Sequence, residues 1–177
     1  MVFSNFAALS NLVSRHYESK VDDSELPKIL AHLRFHEEEW RRGVSDSFDE
    51  NFSVNRNLVG YGYQFSIYLY CWKPHSESPI HDHNQSNCYF AVLDGSLQYT
   101  TYTNTEASLL EEKSISIFEH QAFAQPPSQI HKLANLTDKP VYSLHIFSPA
   151  LEECTAYGSD GFGSRKLLCD YHFVDKQ

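Results

Sequence analysis

Two histidines separated by one residue, His81 and His83 in the run Pro79-Ile80-His81-Asp82-His83-Asn84, carry the densest metal-binding chemistry of the chain. A β-strand projects alternate side chains from one face, so both imidazoles can reach one ion while Asp82 points the other way. A third ligand has to come from elsewhere. The best candidate is His131, where the Pro126-Pro127 turn leads into an apolar strand. Imidazole nitrogen suits Fe²⁺, Zn²⁺, Cu²⁺ and Ni²⁺ alike, so the ligands alone do not name the metal. The informative feature is the missing carboxylate: three neutral imidazoles leave an ion its full charge and several open positions. A zinc site that activates water for hydrolysis or hydration would use the same three residues.

The elements that must position these histidines follow from hydrophobic period. From Phe3 to about Tyr17, Phe3, Phe6, Leu9, Leu12, Val13 and His16 recur at helical spacing. A second helix starts near Asp23-Ser24-Glu25, tolerates Pro27 in its first turn and places Leu26, Ile29, Leu30 and Leu33 on one face. A third short helical turn is expected from Glu37 to Arg42, its charges forming a solvated face. After Asp49 the period becomes two. Phe65, Ile67, Leu69 and Cys71 alternate with Ser66, Tyr68, Tyr70 and Trp72. Further strand-like runs follow at Asn87 to Leu93, Ser96 to Thr103, Ser114 to Phe118, Ile130 to Leu136 and Val141 to Phe147. Turn residues at Pro74, Asp94-Gly95, Asn104, Pro126-Pro127 and Asp138-Lys139-Pro140 separate them. Two or three N-terminal helices (about 1–48) followed by many short strands (about 49–177) predict a mainly β, α+β fold with a closed or nearly closed barrel in one domain. The tail from Gly158 to Gln177 is expected to form a loop and one last strand.

Composition limits what the chain can do. Its 177 residues suit one well-buried domain. A formal net charge of −9 opposes nucleic acid or an anionic membrane as the main partner. Cys71, Cys88, Cys154 and Cys169 make no C-x-x-C pair, and no apolar run approaches the ~20 residues of a membrane span. The expectation is a soluble, cytoplasmic monomer that acts on a small molecule. On that reading the sequons at Asn51, Asn84 and Asn135 are chance matches.

The motifs carry a resemblance. His81-x-His83, four residues, Cys88, six residues and Gly95 resembles the first cupin motif, with Cys88 where most cupins place glutamate. His131 and, after three intervening residues, Asn135 resembles the second. Together with Arg56-Asn57-Leu58-Val59, Cys71-Trp72 and the run Ser143 to Pro149, this is similar to the cysteine dioxygenase family over most of the chain. The resemblance implies a cupin-type β-barrel, or jelly roll, whose Fe²⁺ is held by His81, His83 and His131 with room for a thiolate, an amine and O₂. It also implies that both oxygen atoms are added to the sulfur of L-cysteine to give cysteine sulfinic acid.

Arg56 lies in a strand-like run, where a guanidinium suits a substrate carboxylate or a structural ion pair equally well. The resemblance assigns it to the carboxylate. Ser143 and His145 share one strand face, as a relay towards the site or as a buried polar pair, and the resemblance favours the relay. Two departures stand out. Phe147 occupies the place of the family's tyrosine, so Cys88 cannot form the cysteine–tyrosine thioether and is expected as a free thiol near the metal. Val54 replaces a second substrate-binding tyrosine. Both losses keep open a dioxygenase for another thiol carboxylate, 3-mercaptopropionate-like or a specialised-metabolite thiol, and a non-catalytic cupin that binds metal or ligand.

Overall fold

A computed structural model describes residues 2–3, 6–19, 24–32, 34–35, 41, 53–105, 108–158, 165–168 and 172–173. The apolar stripe at helical spacing forms α1 (Phe6–Glu18), and α2 (Glu25–Ala31) follows the turn at Ser24. Leu9, Val13 and His16 of α1 and Leu26 and Leu30 of α2 are buried. The first helix begins later than its periodicity suggests. Val2 and Phe3 instead form β1 (Val2–Phe3), which pairs in parallel with β2 (Arg34–Phe35), so Phe3 gives its backbone to a ladder. The helical turn expected from Glu37 to Arg42 lies outside the described residues except for Arg41, whose guanidinium pairs with Asp94 and sits over the Tyr142 ring.

Two sheets make up the rest. One contains β3 (Val54–Gly62), β4 (Phe65–Trp72), β7 (Asn87–Asp94), β10 (Ala122–Gln125), β12 (Val141–Ser148) and β15 (His172–Phe173), in the order β10-β7-β12-β4-β3-β15. The other contains β5 (Ser76–Glu77), β6 (Ile80–Asp82), β8 (Ser96–Asn104), β9 (Leu109–Phe118), β11 (Ile130–Asn135), β13 (Glu153–Tyr157) and β14 (Arg165–Leu168). Its order is β14-β13-β6-β11-β8-β9, with β5 on β11. Nearly all pairings are antiparallel; β15 on β3 is parallel. The tail thus supplies two short strands where one was expected, one on each sheet. No helix among the described residues is long and apolar enough to cross a membrane.

The period of two divides the apolar residues between two cores. In β12 every residue is buried, because one strand face meets the opposite sheet and the other meets the helices. Leu144 and Ile146 pack outward with Leu9, Val13, Leu26 and Leu30, together with Ile67, Tyr89 and Ala91. Val141 and Phe147 point inward with Trp72, Cys88, Phe90, Leu97, Ile117 and Leu133. Each fully buried large apolar side chain contributes about 1.5–3 kcal/mol. The helical layer therefore fixes the back of the same strands whose inner face carries Ser143 and His145.

Two motif residues hold the barrel's corners. Gly95, between β7 and β8, has φ 89°, a conformation costly for any residue with a Cβ, and an added Cβ would meet Val141 Cγ2 at 2.8 Å. Asn135 is fully buried. Its amide donates to the carbonyls of Trp72, Lys73 and Lys139 at 3.4, 2.9 and 2.8 Å, and its Oδ1 accepts from the Thr137 backbone at 2.9 Å and hydroxyl at 2.8 Å. The end of β4 and the β11–β12 turn are thereby tied to β11. Asn135→Ala leaves several buried groups unpaired, and urea denaturation is expected to show a loss of about 2–4 kcal/mol.

Candidate metal centre

β6 and β11 are antiparallel neighbours with His81 directly opposite His131, and His83 lies one residue beyond the end of β6. One ring nitrogen from each of the three falls within 4.8 Å of the others. Their ring centroids are 5.1 Å (His81–His83), 4.3 Å (His81–His131) and 4.7 Å (His83–His131) apart. Asp82 does point the other way. Its carboxylate accepts from the Tyr157 hydroxyl at 2.6 Å and the Asn84 backbone at 3.0 Å, pinning the histidine strand to β13.

Hydrogen bonding decides which nitrogens are available. His81 Nδ1 lies 2.8 Å from the Pro79 carbonyl and His131 Nδ1 2.9 Å from the Gln129 carbonyl. A carbonyl only accepts, so both Nδ1 atoms carry hydrogen and both Nε2 atoms keep their lone pairs. A backbone partner on the far nitrogen is the usual way a protein orients a metal-binding imidazole. His83 Nδ1 is buried without a protein partner among the described residues.

Charge supports the same conclusion. Burial lowers the pKa of His81, and the Arg56 charge adds to the effect, outweighing the Pro79 bond and Asp82. Burial holds His83 well below its usual value, helped by His131, His81 and His145. Burial, then His81, does the same for His131. The cluster is therefore neutral near pH 7 and presents its lone pairs together, with His83 and His131 buried and His81 half-buried. Such a donor set fits a divalent transition metal, with no carboxylate to reduce its charge.

The opposite wall comes from the first sheet, where Arg56 pairs with Tyr70 and Tyr70 with Ser143. His145 stacks on Tyr70 at 4.2 Å and on Phe90 at 5.2 Å. Its Nε2 is 2.8 Å from Ser143 Oγ, which also accepts from Trp72 Nε1 at 2.9 Å. Ser143 Oγ and His145 Nε2 share one hydrogen between them, and His145 Nδ1 faces Cys88 Sγ at 3.7 Å. Burial drives the His145 pKa to about 3 and pushes the Cys88 thiol well up, so this chain is uncharged. Phe147 lies edge-on to His83 at 5.0 Å, directly opposite Cys88 on β7. Cys88 is a free thiol, as expected, and Cys169 lies outside the described residues.

Arg56, Ser143, His145, Cys88 and Phe147 thus share the barrel interior with the three histidines, and the Arg56 charge reaches His81. Sequence reasoning passed over Trp72 as a donor to Ser143, and over Tyr99 and Gln125, which hydrogen-bond each other at 3.2 Å. Tyr99 looked like any strand tyrosine, and Gln125 lies in a four-residue strand too short to show a period.

The folded state suppresses protonation of four histidines whose ordinary value is 6.5. Below that pH the unfolded chain takes up protons that the folded chain refuses, so stability present above about pH 6.5 is lost as pH falls towards the depressed values. Urea titration of metal-free protein is expected to give a constant midpoint from about pH 8 to 7. Between about pH 6.5 and 5 the midpoint should fall, with the unfolding free energy declining by up to about 1.4 kcal/mol per pH unit for each histidine.

Comparison with known proteins agrees with this geometry. Residues 3–160 match the family model for cysteine dioxygenase type I. Cysteine dioxygenase type 1 of Bos taurus is 27% identical over 159 residues, covering 86% of this chain and 78% of that protein. The Danio rerio relative of the same name is 24% identical over 144 residues, covering 77% of this chain and 70% of that one. Among solved structures, a Klebsiella pneumoniae protein with a double-stranded β-helix domain superimposes with a TM-score of 0.54 at 16% identity, covering 66% of this chain and 86% of that one. A Thermus thermophilus protein gives 0.51, also at 16% identity, over 63% of this chain and 95% of its own. The fold is thus the double-stranded β-helix of the cupins, and with its carboxylate-free trio of histidines in that barrel the chain belongs to the cysteine dioxygenase type I family.

Proposed function

We propose that this chain is an iron-dependent thiol dioxygenase that converts L-cysteine to cysteine sulfinic acid, R–SH + O₂ → R–SO₂H. The observation that carries the reading is the neutral three-histidine cluster on one sheet with the Arg56 charge reaching it from the other. Ferrous iron, held by His81, His83 and His131, would supply the redox-active centre at which thiol and O₂ meet. The chain's own residues would do the rest. Arg56, half-buried on the inner face of β3, is placed to hold an anionic carboxylate, and a charge-assisted pair of that kind is among the stronger contacts a protein offers. His145 stays neutral, fixed by Ser143 and the aromatic rings stacked on it, so the cavity is polar there without a competing positive charge. Cys88 remains a protonated thiol and leaves the metal to the substrate sulfur. The net charge of −9 supports a small-molecule partner over nucleic acid or an anionic membrane.

One observation favours a second reading, a dioxygenase for another thiol carboxylate. Val54 and Phe147 present no hydroxyl, so this pocket holds fewer groups that would single out cysteine.

Oxygen uptake by iron-loaded protein, with product mass recorded, tests the proposal against L-cysteine, cysteamine, 3-mercaptopropionate and homocysteine. Uptake with L-cysteine and a gain of two oxygen atoms is expected. Arg56→Leu should lower kcat/KM for L-cysteine by about 10–100-fold, the range of a hydrogen bond to a charged group, and leave cysteamine unaffected. Uptake only with another thiol moves the substrate. Iron-loaded protein that consumes no oxygen with any of them is a binding module.

A further inference from the structure

Tyr99 and Gln125 meet across the barrel from opposite sheets. Gln125 is 2% exposed and directly opposite Cys88, which is itself directly opposite Phe147. Tyr99 is on β8, its ring centroid 5.9 Å from that of His131 and packed beside Phe90 and Phe123. The pair therefore lies beside the His131 ring at one end and the Cys88–Phe147 rung at the other.

The hydrogen bond joining them has a direction. Gln125 Nε2 donates to the Tyr99 hydroxyl oxygen at 3.2 Å. The phenol hydrogen is left to point elsewhere, and no described protein group receives it. Burial raises the Tyr99 pKa from its ordinary value, so the group is an O–H donor throughout the neutral range. Gln125 Oε1 is also buried without a partner among the described residues, where the amide's contact is the one to the phenol. A buried amide oxygen left open in this way, beside a half-buried phenol and a cluster of lone pairs, marks where a ligand completes the hydrogen bonding.

We propose that the Tyr99 hydroxyl, turned towards the metal centre by Gln125, donates a hydrogen bond to the sulfur end of the bound thiol. Tyr99 is then a substrate-contacting residue at the sulfur, Gln125 positions it, and Arg56 reads the carboxylate. The assignment rests on the thiol dioxygenase reading and adds to it a donor supplied from the sheet opposite Phe147.

Anaerobic calorimetric titration of Fe²⁺-loaded protein with L-cysteine and with cysteamine separates these roles. Tyr99→Phe keeps the ring and removes only the hydroxyl, and it is expected to weaken both thiols by about tenfold, since both present sulfur. Arg56→Leu should weaken L-cysteine alone. Gln125→Leu, which releases the hydroxyl without removing it, should weaken both thiols by less than Tyr99→Phe does. Iron content and thermal midpoint, measured on each variant, should match the parent. Tyr99→Phe protein that binds both thiols within about twofold of the parent overturns the proposal, as does a loss of thiol binding that merely follows a loss of iron. Parent protein that binds thiols but takes up no oxygen ends the dioxygenase reading while the Tyr99 comparison still stands or falls on its own numbers. Parent protein that binds neither thiol overturns both.

Discussion

Three imidazoles kept neutral inside a barrel are the constraint on which the rest of this structure depends. Burying one histidine unprotonated is unremarkable, but bringing three lone pairs together requires every ring to be turned the same way. Two strand-end carbonyls, those of Pro79 and Gln129, do this by taking the Nδ1 hydrogens of His81 and His131. The antiparallel pairing of β6 with β11 then sets the two rings side by side. Mutual repulsion and desolvation exclude protons, and a divalent cation with open positions is the partner that such a site accommodates.

The sheet that contains β3, β4 and β12 has a different task. Its inner face carries one fixed cation, Arg56, and an otherwise uncharged network running from Trp72 through Ser143 and His145 to Cys88. Its first member has a fixed direction, because the Trp72 indole N–H can only donate to Ser143 Oγ. Its geometry does not depend on Phe147, because none of its hydrogen bonds involves that position. Fixing the back of β12 is the work of α1 and α2, whose apolar faces bury Leu144 and Ile146 beneath the strand that holds Ser143 and His145.

Much of this was legible in the residues themselves. The alternation in Phe65 to Trp72 and Val141 to Phe147 marks strands, since β-strands carry a period that short windows reveal, and the Asp94-Gly95 turn is fixed by a backbone angle glycine alone adopts easily. The pairing of His81-x-His83 with His131 was visible as a motif. What escaped were features that depend on three dimensions. Asn135 serves as a tie between a turn and two strand ends, not only as a motif residue. Tyr99 and Gln125 are far apart in sequence and lie on different sheets. The two short tail strands, Arg165–Leu168 and His172–Phe173, are set by the partner strands they extend, and a glycine-rich segment before them hides any period.

The central claim is that three histidines hold a metal whose remaining positions belong to a thiol. X-ray absorption at the iron edge of the loaded protein tests it most directly, measured without thiol and then with L-cysteine under anaerobic conditions. The account expects a nitrogen and oxygen shell alone in the first sample, with imidazole scattering, and a sulfur neighbour in the second. A sulfur ligand already present before thiol is added would mean that Cys88 occupies the metal, and no sulfur after saturation with thiol would mean that the open positions serve another chemistry; either result contradicts the account.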